Sequence, residues 1–473
     1  ISVAFISIPP DLSDVLNTLL CSNRGPSHTI HNYQTISQYE SLCKSFFLNF
    51  VKLKNKCLIF CEKYGILLER KEENLMPNTT IYHIDVNSAF LSWSADYFLR
   101  EHMTDTDIRT IPAVIGGDES MRHGIVLAKS TSAKKFGVKT GEPLIRAREK
   151  CPGLKVFPPN HKLYTQRSRE FITLLKSVAP KVEQYSIDEA FCDMSGTENL
   201  YGNLVDYADS LRERIYRELR FTVNIGVSVN KLLAKMASDF EKPDKTHTLF
   251  PEEIPAKMWP LPVRELFFVG KSTEKKLRTL GIRTIGDLAA CDPALLSSHF
   301  HKQGLTIWNY ANGRDLESVT GHDSANKGYS SETTLAADMT DPETAKIILL
   351  SLAETVAARI RADKAYISVV GVTLVTCEFE KYSHQKSLFS PTNITEEIYH
   401  TAVELFAQMW KKEPIRLIGL STSKATSDQT YQYDLFHKDQ YERLSKLNSA
   451  LDSIRDKYGS GAVKRACFLK EED

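Results

Sequence analysis

The stretch Tyr185-Ser186-Ile187-Asp188-Glu189-Ala190-Phe191-Cys192-Asp193 sets two adjacent carboxylates inside an apolar, β-prone run. An ionised group in such a setting is costly to desolvate unless it has a partner. Hard divalent cations prefer carboxylate oxygen, so a bound cation would satisfy the pair. On a regular strand, neighbours point to opposite faces, so Asp188 and Glu189 can serve one site only from a strand end or a turn. Upstream, a third acid sits in similar surroundings, in Ile81-Tyr82-His83-Ile84-Asp85-Val86-Asn87-Ser88-Ala89-Phe90. Two apolar strands that deliver acids to one place suit a two-metal site for phosphoryl transfer. The competing reading has Asp188 and Glu189 capping a turn and Asp85 closing a strand.

Around these two strands the pattern alternates. Ile81 to Val86 reads as a short buried strand, and Ser88 to Arg100 as a helix with Phe90, Leu91, Trp93, Ala95, Phe98 and Leu99 on its apolar face. Pro112 to Gly117 and Gly124 to Ala128 read as a hairpin. The run Lys129 to Gly141 then mixes hydroxyls with four lysines, a composition suited to phosphate oxygens and equally to a solvated face. Pro158 to Ser177 and Asn203 to Leu219 read as helices, and Val182 to Met194 as the strand pair carrying the carboxylates. Val223 to Val229 is a buried strand, after which Asn230 can cap a helix from Lys231 to Phe240. That helix turns Leu232, Leu233 and Met236 inward and stops before Lys242-Pro243. Strands and helices in this order predict a ferredoxin-like α+β unit.

Composition sets outer bounds. The 473 residues allow roughly three domains. With 60 Lys and Arg against 59 Asp and Glu, any nucleic-acid surface must come from local segregation of charge. No apolar run is long enough to span a membrane. The nine cysteines form no CxxC pair and have no His-rich partner segment, which argues against a zinc site or a disulfide framework and fits a reducing, cytoplasmic setting. The opening from Ile1 carries no basic region of the signal-peptide kind. The first methionine is Met76, and the expectation is that residues 1–75 are an upstream extension. The alternative is a small helical accessory domain built on the apolar stretch Phe46 to Leu68.

Four segments together resemble the Y-family (translesion) DNA polymerases of the bacterial DinB/UmuC type. They are Asp85-Val86-Asn87-Ser88-Ala89-Phe90, Ala133-Lys134-Lys135-Phe136-Gly137-Val138, Tyr185-Ser186-Ile187-Asp188-Glu189-Ala190 and Gly226 to Ser238. The likeness runs from about residue 80 to the C-terminus, and its force lies in the order and spacing of all four. It implies a right-hand α+β polymerase with ferredoxin-like palm, fingers, thumb and an added little finger. Asp85, Asp188 and Glu189 would be ligands of two Mg²⁺ ions, with the Val86 carbonyl completing one shell. Phe90 matches the steric gate that would collide with a ribose 2′-hydroxyl, its other reading being helix core. Thr131 and Lys134 fall where the family usually has tyrosine and arginine on the triphosphate, so the ring and the bidentate fork are lost while the charge stays. Lys242 matches a further triphosphate contact, and Lys231 and Lys235 read either as part of this motif or as solvated helix charges.

Beyond Lys242, the run Val269-Gly270-Lys271 to Gly281-Ile282 looks like a helix–hairpin–helix whose glycines let backbone amides approach a DNA phosphate. A structural αα-turn is the alternative. From Tyr329 a β-α-β-β-α-β order is expected, which fits the little finger: Ser331–Ala336, Pro342–Arg361, Tyr366–Glu380, His384–Leu388, Ile394–Trp410 and Ile415–Thr422. In a polar tail, Gln432-Tyr433-Asp434-Leu435-Phe436 resembles the peptide by which bacterial polymerases hold the sliding clamp, with Gln432, Leu435 and Phe436 as its anchors. The expected division is 1–75 extension, 76–87 and 156–243 palm, 88–155 fingers, 244–316 thumb, 317–328 linker, 329–425 little finger and 426–473 tail.

The resulting expectation is a cytoplasmic, monomeric, damage-bypass DNA polymerase acting on primer–template DNA and dNTPs. It would have low fidelity and no proofreading unit, and would act alone or with accessory mutagenesis subunits. A nucleotidyl cyclase on a similar palm and a DNA-binding accessory protein with an inactive site are the rival readings.

Overall fold

The computed structural model describes residues 48–53, 56–61, 66–70, 79–118, 122, 124–321, 325–427, 438–459 and 461–468. They divide into two units, Ile1–Pro77 and Asn78–Asp473. In the first, strands β1 (Leu48–Leu53), β2 (Lys56–Cys61) and β3 (Ile66–Arg70) form an antiparallel meander in sequence order. This corrects the helical alternative for Phe46 to Leu68. Cys57-Leu58-Ile59-Phe60-Cys61 is a continuous apolar run, which by itself cannot separate strand from helix, and its length favours a strand.

The second unit opens with β4 (Ile81–Val86), followed by helix α1 (Ala89–Arg100). A small sheet then forms from β5 (Ala113–Gly116) and β6 (Val126–Lys129), with the helices α2 (Thr131–Lys135) and α3 (Leu144–Lys150) leading to its third strand, β7 (Lys155–Phe157). Because β7 pairs with β5, the small sheet reaches past residue 155, where the expected fingers segment ends. Helix α4 (His161–Lys176), strands β8 (Lys181–Gln184) and β9 (Glu189–Asp193) and helix α5 (Leu204–Leu219) come next. They are followed by β10 (Val223–Ser228), helix α6 (Lys231–Ser238) and β11 (Thr246–Thr248).

The central sheet has the order β11-β10-β4-β9-β8. Alternation along β4 sorts its two faces. Tyr82, Ile84 and Val86 enter a core with Phe171 and Leu175 of α4 and Ala208, Leu211 and Ile215 of α5. Each such side chain, fully buried, contributes about 1.5–3 kcal/mol. Ile81, His83 and Asp85 point to the opposite face, where Ile81 joins Ala234 of α6 and His83 Nδ1 lies 2.7 Å from Ser238 Oγ. Helix α6 lies so close to β10 that a Cβ on Gly226 would stand 1.9 Å from the Ala234 carbonyl oxygen.

The far side of α6 is also buried. Leu232, Leu233 and Met236 share a core with Leu277 of α7 (Lys271–Thr279), Ile285 of α8 (Ile285–Ala290), Leu296 of α9 (Pro293–Phe300) and Ile307 of α10 (Lys302–Ala311). The chain leaving α10 is pinned back onto the sheet unit. Asn230 Nδ2 donates to the Gly313 carbonyl (2.9 Å), Leu232 N–H to Asp315 (3.2 Å) and Thr320 N–H to Glu183 (2.9 Å).

A second α+β layer follows, in the expected order: β12 (Ser330–Met339), α11 (Pro342–Ala362), β13 (Ile367–Thr376), β14 (Lys381–Thr392), α12 (Thr395–Met409) and β15 (Ile415–Ser423). Its strands are ordered β12-β15-β13-β14, and α11 and α12 close one face. Where a polar tail is expected, residues 438–458 form helix α13 (Lys438–Tyr458). Among the described residues, no helix is long and apolar enough to cross a membrane.

Candidate active site

The three carboxylates meet at one edge of the central sheet. Asp85, near the end of β4, is paired in register with Glu189, the first residue of β9. Asp188 closes the turn just before it. Tyr185 and Ser186 N–H both donate to the Glu189 carbonyl (3.0 and 3.2 Å), and Val86 N–H donates to the Asp188 carbonyl (3.0 Å). Ser186 Oγ donates to Asp188 Oδ1 at 2.7 Å, fixing that side chain. The adjacent acids therefore escape strand alternation because one lies in the turn and the other at the strand's first position.

Cations of the chain itself face these acids. Lys242 Nζ bonds to Asp85 and lies 2.8 Å from Asp239, and Lys235 Nζ lies 2.8 Å from Glu189 Oε1. Burial, with a smaller push from Glu189 and Asp188, outweighs Lys242 and raises the Asp85 carboxyl to about 6. Burial would lower the Lys242 ammonium, but Asp85 and Asp239 hold it up to about 12. At neutral pH both remain ionised.

Two asparagines hold Lys242 in place. Asn224, buried on β10 beside Asp85, donates to the Ser238 and Glu241 carbonyls (3.1 and 2.7 Å), and Asn87 donates to Asn224 Oδ1 (3.0 Å). Asn87 Oδ1 in turn accepts from Asp244 N–H at 2.9 Å. Sequence reasoning missed this network. Its signal was an amide side chain in the middle of the otherwise apolar strand Val223 to Val229, which must find partners if buried.

Phe90 lies in the first turn of α1, half-buried, with one face stacked on Tyr164 at 4.3 Å. Thr131 and Lys134 are exposed and about a turn apart on α2; no described contact ties them to the carboxylates. Lys231 and Lys235 are both buried and paired with acids, which corrects their reading as solvated charges. Val269 is buried, Gly270 and Lys271 are exposed at the start of α7, and Gly281 follows its end at φ +83°. Gln432, Leu435 and Phe436 lie outside the described residues.

Among the described residues, no three His, Cys, Asp or Glu side chains close into a metal cage by themselves. The donor chemistry at the sheet edge nevertheless fits a hard divalent cation. It is all carboxylate oxygen, mutually repulsive, and balanced by lysine ammonium groups standing where positive charge is needed.

Comparison with known proteins gives the family. The impB/mucB/samB family matches residues 84–239, its C-terminal domain matches 326–435, and the HHH motif of the IMS family matches 251–282. A DNA polymerase IV of Clostridium acetobutylicum is 47% identical over 394 residues, which cover 83% of this chain and 99% of that protein. DNA polymerase IV 2 of Bacillus subtilis is 33% identical and covered over 96% of its length. A Y-family DNA polymerase chimera of Dbh and Dpo4 superposes with a TM-score of 0.64 at 22% identity, covering 74% of this chain and all of that one, a likeness of fold. The chain belongs to the impB/mucB/samB family, the Y-family DNA polymerases, and within it to the DinB type.

Proposed function

We propose that this DNA-directed DNA polymerase of the translesion class adds deoxynucleotides to a primer 3′-hydroxyl at the edge formed by Asp85, Asp188 and Glu189. The observation that carries the reading is the register of Asp85 with Glu189, with Asp188 bonded through its carbonyl to Val86. DNA and dNTPs are its substrates, and the family works with a divalent metal. We infer Mg²⁺, as two ions, held by the three carboxylates and the Val86 carbonyl. Such ions supply Lewis acidity, activating the 3′-hydroxyl and neutralising the leaving pyrophosphate. The chain's own part is positioning and charge. With Asp85 engaged by a cation, Lys242, still held by Asp239, would turn its ammonium to a triphosphate oxygen, and Thr131 and Lys134 would offer a hydroxyl and a second charge from the fingers. Phe90, whose ring stacks flat on Tyr164, would exclude a ribose 2′-hydroxyl.

The remaining assignments are also proposals. The palm comprises 76–87 and the segment to 243, the fingers 88–155 extended to the end of β7, the thumb 244–316 and the little finger 329–425. Val269, Gly270, Lys271 and Gly281 would hold a DNA phosphate, and Gln432, Leu435 and Phe436 would dock on the sliding clamp. The polymerase names of relatives matched along nearly their whole length favour this reading over a cyclase or an inactive accessory protein. Primer extension with Mg²⁺ and dNTPs, beside the double variant Asp188→Ala/Glu189→Ala, tests the site. Loss of extension in the variant with DNA binding retained is expected. Undiminished extension would remove these acids from catalysis.

A further inference from the structure

Two lysines a turn apart on a helix are ordinarily a solvated face. On α6, Lys231 and Lys235 are each only 8% exposed. Lys231 meets Glu183, the residue that also receives Thr320 N–H, and so serves the seam between sheet and linker. Lys235 has a different environment. Its Nζ lies 2.8 Å from Glu189 Oε1 and also faces two rings, 5.8 Å from the centre of Tyr185 and 5.7 Å from that of Phe267. The rings meet edge to face at 6.3 Å. Phe267 comes from the segment leading into α7, and its N–H reaches Met236 Sδ, on the same helix as Lys235, at 3.4 Å. A buried ammonium gives up hydration and rotamer freedom, and among the described residues one carboxylate oxygen and two ring faces compensate it.

We propose that Lys235 is a positioning residue for Glu189. Its ammonium anchors Oε1 and fixes the rotamer, which leaves the other carboxylate oxygen for the cation, while the Phe267 ring shields the pair from water. Outer partners of metal-binding carboxylates act in this way, by orienting the ligand. The inference rests on Glu189 being a metal ligand.

The test uses the full chain with Lys235→Met, Lys235→Arg and Asp188→Ala. Mn²⁺ binding to the protein alone is read from the free-ion electron paramagnetic resonance signal, and kcat and KM for dNTP are read from primer extension. In Lys235→Met, Mn²⁺ binding and kcat are each expected to fall about tenfold or more, the scale typical of lost outer partners, with KM for dNTP nearly unchanged. Lys235→Arg, which keeps the charge, should restore most of both. Unchanged or tighter Mn²⁺ binding in Lys235→Met would overturn the proposal and make the lysine a competitor of the cation. If Asp188→Ala binds Mn²⁺ and extends primers like the wild type, the metal-site reading itself fails, and the role of Lys235 falls with it.

Discussion

Asp85 is 8% exposed, and its carboxyl is raised from 3.8 to about 6, first by burial. An acid raised by the fold holds its proton more tightly in the native chain than in the unfolded one. The native state therefore gains from protonation below pH 4, and this gain is lost as pH rises from about 4 through about 6. At roughly 1.4 kcal/mol per pKa unit, the ionised carboxylate costs the metal-free fold on the order of 3 kcal/mol at neutral pH. Asp85→Asn should thus stabilise chelator-treated protein by about 2 kcal/mol more at pH 7.5 than at pH 4.5, read from urea unfolding, while abolishing synthesis. Equal effects at the two pH values would mean that Asp85 is not desolvated. The three acids were legible as candidate ligands because charge inside apolar strands needs an explanation. Lys235 was not, since nothing local distinguishes a buried lysine on a helix from an exposed one until the packing is known.

Helix α6 is the element on which the site depends. One side lies against β10, close enough to require Gly226, and the other completes the core of the helical unit. Its end, tied by Asn224, brings Lys242 to Asp85. Its strong apolar stripe was readable, but not that both sides are covered, because periodicity reports a face and not how many neighbours it meets. Helix α13 shows the converse. Its side-chain hydrogen bonds with α11 are ionic and those with α12 are polar: Glu354 accepts from Arg455 (3.1 Å) and, beyond the helix, from Arg465 (2.7 Å), Arg361 binds Asp452 at 2.6 and 3.0 Å, and buried Asn448 bonds to Thr395 and Glu396. Such a helix carries little hydrophobic signal and reads as a polar tail. Because Glu354 is largely buried, Glu354→Ala should weaken docking by about 1–3 kcal/mol, between the exposed and buried ion-pair limits. Limited trypsin digestion should then cut after Arg455 sooner than in the wild type. An unchanged cleavage order would show that the ionic contacts do not hold the helix.

For the whole molecule, a polymerase acting anywhere on DNA gains processivity from a tether, and the proposed clamp peptide would offer Leu435 and Phe436 as its two apolar anchors. Leu435→Ala with Phe436→Ala should abolish stimulation by the sliding clamp and leave unassisted synthesis intact. Equal stimulation of wild type and variant would place clamp binding elsewhere. The sequence by itself determined the order of the elements, the β-α-β-β-α-β layer and the identity of the three acids. These depend on periodicity, turn chemistry and the cost of charge among apolar residues, all of which are local. It did not determine the meander at 48–70, where a continuous apolar run left strand and helix undecided. Only the tertiary structure decided that Asp188 and Glu189 straddle a turn, that Lys235 and Lys242 face acids, and that α13 is docked. Those depend on which distant segments share one desolvated space, and desolvation is a property of the packed molecule.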